Sequence, residues 1–106
     1  MRGLKKGGLK SLAAFLKLLS VEQRLRILAL LAERPRYAYE ISKELSLSYP
    51  LVLLHLKALE KAGLIESEYK VTESMRVRRY YKIKQFKLVL SPEEILRIYR
   101  GERDVD

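Results

Sequence analysis

One glycine divides this chain into two kinds of apolar spacing. Before Gly63 the apolar residues return every three or four positions, which is the period of a helix. From Leu64 to Ile83 they fall instead into two runs rich in β-branched and aromatic residues, the habit of a strand. Helices are therefore expected first and one β-hairpin after them. At 106 residues the chain has the size of one domain with a single core.

Leu9, Leu12, Ala13, Phe15, Leu16 and Leu19 make one apolar stripe, so an amphipathic helix is expected over 9–19, after a flexible basic leader over 1–8. Ser20 with Gln23 three places on has the form of a capping box. It predicts a helix through Leu25, Leu28 and Leu31 to about Ala32, ended by Pro35. A short helix follows from about Ala38 to Leu45, then a polar turn over Ser46 to Ser48. A further helix begins at Tyr49 or Pro50, where the missing N–H of a proline costs little. On that helix Val52, Leu56 and Leu59 share a face, Lys57 and Lys61 lie elsewhere, and Gly63 suits the C-terminal cap.

The two strand-like runs, joined through Thr72, Glu73 and Ser74, are expected to pair as a hairpin. Its second strand alternates Val77 and Arg79 with Arg78 and Tyr80. The segment Phe86 to Leu90 either extends the sheet or packs on the body. Ser91 then caps a last helix that opens Pro92, Glu93, Glu94 and carries a narrow stripe of Ile95, Ile98 and Tyr99.

The net charge of +9 is local. Residues 1–19 hold five basic side chains and no acidic one, and residues 70–87 hold seven against the single Glu73. Residues 20–69 balance, and the tail from Leu88 is net negative. Two positive segments point to a polyanion as partner. There is no cysteine, which excludes disulfides, thiolate metal sites and a cysteine nucleophile, and suits a cytoplasmic protein. No apolar run approaches the roughly 20 residues that span a bilayer, so neither a transmembrane helix nor a signal peptide is expected.

Helices followed by a basic hairpin is the order of a winged helix-turn-helix, and the stretch from Leu47 to Ile65, above all His55-Leu56-Lys57-Ala58-Leu59-Glu60-Lys61-Ala62-Gly63-Leu64-Ile65, resembles the recognition helix and its exit in ArsR-type regulators. Tyr39-Glu40-Ile41-Ser42-Lys43-Glu44-Leu45 is similar to both ArsR-type and PadR-type regulators, and Arg79-Tyr80-Tyr81-Lys82-Ile83 resembles the return strand of the wing. The fold class expected is mainly α with a small β-hairpin wing, with extra N- and C-terminal helices. A single domain over 9–106 would divide into the first helix (9–19), the winged core (20–83) and a C-terminal extension (84–106). The resemblance implies a homodimeric, cytoplasmic transcriptional regulator that lays the helix after Ser48 in the major groove of double-stranded DNA and sets the wing on phosphates or the minor groove. The residues themselves suit that use: Ser48, Tyr49, Lys57 and Lys61 offer hydroxyl, phenol and ammonium groups, and Arg76, Arg78 and Arg79 suit phosphates or a narrow minor groove.

Leu51, Leu53 and Leu54 stand where family members commonly place small polar residues. Helical projection puts Leu53 and Leu54 off the buried face. They can touch thymine methyls, or they can dock a partner protein, and a module for protein–protein contact or a low-specificity architectural DNA binder are the competing readings. Dimerisation is expected through Leu12, Phe15, Leu16 and Leu19 with Ile95, Ile98 and Tyr99, the competing reading being that both terminal helices fold back on their own domain. A further reading, ranked below these, lays the basic stretch Gly7 to Leu19 on an anionic membrane surface. His55 is expected to be packed rather than metal-bound, Glu93 and Glu94 to serve the helix terminus, and no catalytic constellation, cofactor or metal is expected.

Overall fold

The computed structural model describes the backbone of residues 2–103 and the side chains of residues 8–102, so the leader's charged side chains lie outside the described residues. The chain runs α1 (Arg2–Leu19), α2 (Glu22–Glu33), β1 (Arg36–Tyr37), α3 (Ala38–Leu45), α4 (Tyr49–Lys61), β2 (Ile65–Val71), β3 (Val77–Ile83) and α5 (Pro92–Arg103). It forms two compact units, one of residues 21–85 and one of residues 1–20 with 86–106.

The 21–85 unit is built on three helices and a sheet. Ile27 and Leu31 of α2, Ile41 of α3 and Val52, Leu56 and Leu59 of α4 are fully buried together with Leu64 and Ile65 at the start of β2. Each such side chain contributes roughly 1.5–3 kcal/mol by leaving water. The sheet has three antiparallel strands in the order β1-β3-β2. The hairpin expected from sequence is its larger part, with Ile65 opposite Ile83 and Val71 opposite Val77. The third strand is the two-residue β1, which pairs Arg36 with Tyr81 and Tyr37 with Tyr80. Residues 86–90 take no part in the sheet.

Arg36 explains why so short a strand is held in place. Its buried guanidinium donates to Glu44 at 3.0 Å, to Glu33 at 3.0 Å and to the carbonyls of Leu30 and Arg34. Burial works against the charge, but the bonds to Glu44 and Glu33 outweigh it and hold the group above its ordinary pKa. One side chain thus ties the end of α2 to α3.

The helix ends show where local chemistry decides. Gly63 lies just past α4 at φ 82°, with the Leu64 N–H returning to the Leu59 carbonyl at 3.1 Å, so a residue free of the left-handed penalty sits where the helix stops. The capping box expected at Ser20 and Gln23 does not form: Val21 is the N-cap of α2, and Ser20 Oγ donates back to the Lys17 carbonyl at 2.7 Å, closing α1 instead. A capping box not expected from sequence forms at α3, where Glu40 accepts from the Tyr37 N–H at 3.1 Å.

In the other unit α1 and α5 pack on each other. α1 starts at Arg2 and is interrupted at Gly8 (φ 61°, ψ −144°), so its unbroken stretch coincides with the helix expected from Leu9. The Leu9 N–H, left without an intrahelical partner by that break, donates to Glu102 of α5 at 2.8 Å. Ser91 caps α5 as expected, accepting from the Glu94 N–H at 3.1 Å. Glu94 is engaged by Arg97 at 2.6 Å, and this hydrogen bond lowers its pKa.

Candidate nucleic-acid interface

α3 and α4 are joined by a turn that fixes the angle between them. Ser46 adopts φ 54° and ψ 43°, and the Leu47 N–H bonds back to the Ser42 carbonyl at 3.0 Å. Ser48 then caps α4, its Oγ accepting from the Leu51 N–H at 3.3 Å, and Pro50 lies in the first turn. The hydroxyl of Ser48 is thus already engaged by the helix.

α4 turns Val52, His55, Leu56 and Leu59 inward and leaves Leu51 half-buried. Its outward stripe is Tyr49, Leu53, Leu54, Lys57 and Lys61. Leu54 is 60% exposed and Leu53 37%, so both leucines set apart by the helical projection reach solvent. His55 is buried, with Nδ1 accepting from Arg24 Nε at 3.1 Å. Burial first and the Arg24 cation second lower its pKa, so the imidazole is neutral in the fold. Among the described residues no three His, Cys, Asp or Glu side chains converge to hold a metal ion.

The wing presents its cations in three different ways. Lys70 and Lys82 pair with Glu68 at 3.4 Å and Glu66 at 3.3 Å. Arg79 is tied to the end of α4: it donates to Glu60 Oε1 at 2.9 Å and to Ser67 Oγ at 2.9 Å, Ser67 donates to Glu60 Oε2 at 2.7 Å, and the guanidinium lies 5.1 Å from the Tyr81 ring centroid. Arg76 at the turn and Arg78 on the opposite face of β3 form no ion pair among the described residues. Arg78 lies 4.2 Å over the ring of Tyr37, which itself meets Tyr80 edge-on at 5.6 Å. Arg78 is therefore held in place by an aromatic ring while keeping its charge available.

Between α4 and the inner face of the hairpin runs an open cleft of about 350 Å³, lined by Tyr39, Tyr49, Leu53, Tyr69, Arg79 and Tyr81. Apart from Tyr49, Leu53 and Arg79 these residues are not among the site residues expected from sequence, and neither are Glu60 and Ser67; Tyr39, Glu60 and Tyr81 stand there only within segments that resemble the family. The tyrosines carry no period of their own, and the link between Glu60 and Arg79 depends on the packing of α4 against β2, which spacing along the chain does not reveal.

The residues expected to dimerise lie in the other unit. Leu12 and Phe15 are buried within the single chain, Leu16, Leu19 and Ile98 are half-buried, and Ile95 and Tyr99 are exposed.

Residues 22–67, from the start of α2 into β2, match the family described as bacterial regulatory protein, arsR family. An HTH-type transcriptional regulator of Methanocaldococcus jannaschii is 43% identical over 79 residues, which cover 74% of this chain and 82% of that protein. Among solved structures, the homodimeric winged helix-turn-helix DNA-binding domain of a Mycobacterium bovis protein superposes with a TM-score of 0.60 at 28% identity, over 92% of this chain and 79% of that one. HlyU from Vibrio cholerae, in its reduced form, gives 0.57 at 26% identity, over 86% and 84%. The family match runs from α2 into β2, and together with the 43% identical relative it shows that the chain belongs to the ArsR family of transcriptional regulators, with a winged helix-turn-helix DNA-binding fold and no place among the enzymes.

Proposed function

We propose that the protein binds double-stranded DNA as a homodimer, with α4 in the major groove and the wing on the adjacent backbone or minor groove. The observation that carries this reading is the outward stripe of α4 in the same compact unit as the wing cations Arg76 and Arg78, which form no ion pair among the described residues. Tyr49, Lys57 and Lys61 supply polar and cationic contacts, while Leu53 and Leu54 meet thymine methyls. Leucine makes no bidentate hydrogen bond, so the phosphates supply most of the affinity and the bases a modest preference. Arg79 acts on DNA chiefly by holding the wing. A homodimer is supported by the homodimeric Mycobacterium bovis domain and by the exposed Ile95 and Leu96 of α5. It would set two copies of α4 about 34 Å apart, one turn of DNA. Such a partner places the protein in the cytoplasm. Among the described residues no helix is long and apolar enough to cross a membrane.

The exposure of Leu54 favours a second reading, in which this stripe docks a protein. Two variants separate them. Arg76→Ala with Arg78→Ala is expected to weaken binding to every duplex and to lower the slope of log affinity against log salt by about 2, one for each phosphate that an arginine no longer neutralises. Unchanged DNA binding in that variant, together with a Leu54→Glu protein that no longer captures a partner, supports docking instead.

A further inference from the structure

The tip of the wing carries a residue that its backbone disfavours. From Thr72 to Arg76 the Met75 N–H donates to the Thr72 carbonyl at 2.9 Å, the Thr72 N–H to the Arg76 carbonyl at 2.7 Å, and the Arg76 N–H to Thr72 Oγ1 at 3.2 Å. Short hairpin loops of this kind end in one left-handed residue, a position suited to glycine. Here it is Met75, at φ 63°. The left-handed backbone costs a methionine stability that glycine would keep, and burial does not offset the cost, because Met75 is 81% exposed. Below it the cross-strand partners Val71 and Val77 are exposed too, at 64% and 65%. Arg76 adjoins this apolar tip, and the next cross-strand pair is Lys70 with Arg78. The exposed apolar group of Met75, Val71 and Val77, flanked by the cations Arg76 and Arg78 and sharing its turn with the single carboxylate Glu73, is ill suited to water. It matches the minor groove of DNA, where an apolar side chain enters between base pairs while cations hold the phosphates on either side.

We propose that Met75 is a wedge that enters the minor groove, parts a base step and bends the duplex. This rests on the DNA-binding reading above and adds the means of sequence preference. Pyrimidine–purine steps open most easily, so the wing selects them without the base-edge hydrogen bonds that the leucines of α4 cannot make.

The test is energy transfer between dyes at the two ends of a short duplex taken from upstream of the protein's own gene, with wild type, Met75→Gly and Met75→Leu. Glycine suits the turn, so Met75→Gly is expected to melt at the same or a higher temperature, which separates loss of bending from loss of fold. Wild type is expected to draw the ends together by a bend of about 20–90°. Met75→Gly is expected to bind the same duplex without that bend, and Met75→Leu to keep it. A Met75→Gly protein that bends DNA like wild type, or a wild type that binds without bending, overturns the wedge and leaves the DNA-binding reading standing. If Met75→Gly instead alters sedimentation but not bending, the tip is a contact between copies and the wedge is likewise overturned. A wild type that binds no duplex at low salt removes the DNA-binding reading itself.

Discussion

Because β3 alternates its side chains, the neighbours Arg78 and Arg79 face opposite sides of the hairpin and meet different surroundings. Arg79 finds Glu60 and Ser67, while Arg78 finds the ring of Tyr37. Sequence distinguishes the two faces but not what lies across from each. His55 shows the same dependence on its neighbours. Its folded pKa is depressed, chiefly by burial, while in the unfolded chain it returns to about 6.5. The unfolded state therefore binds more protons below that pH, so stability is full above about 6.5 and declines as the pH falls through the folded value. Urea unfolding between pH 8 and pH 5 should show this decline in wild type and a shallower one in His55→Gln, which can still accept from Arg24 but does not titrate. Equal slopes in the two proteins would mean that His55 is not the group responsible.

The wing is an element held in position by contacts with α4. Glu60 fixes β3 to the last turns of α4 through Arg79 and Ser67. Removing a carboxylate from a DNA-facing surface should tighten binding if charge alone counted. Glu60→Ala is expected to weaken binding severalfold instead, because the hairpin loses its anchor; anisotropy titrations of the two proteins decide the sign, and tighter binding by the variant would show that the anchor is dispensable. The elements legible in the sequence are those with a long period or a strong terminal signal. α4 has both, in Val52, Leu56 and Leu59 and in Ser48 and Gly63, and its exposed leucines follow from simple projection. β1 has neither. Two residues carry no period, and Arg36 in a loop sequence looks like a surface cation, although the fold buries it against Glu33 and Glu44. Ser20 misleads for a related reason: two helix ends meet there, and the hydroxyl serves the preceding one. The tyrosines and Glu60 of the interface escape a reading along the chain because they are assembled across α3, α4 and the sheet.

Over the whole molecule, the excess positive charge, the stripe of α4 and the ArsR-family membership lead to one partner, double-stranded DNA. Charge alone would bind any polyanion, with affinity falling steeply as salt rises. A regulator must also prefer one site, and here that preference is expected to be modest, drawn from methyl contacts and the shape of the duplex rather than from bidentate readout. The most direct test is fluorescence anisotropy of the intact protein with the duplex upstream of its own gene and with a scrambled duplex of the same length, each across a range of salt. Binding to the upstream duplex that is tighter and that survives salt better than binding to the scrambled one is the predicted result. No binding to either duplex at low salt would contradict it.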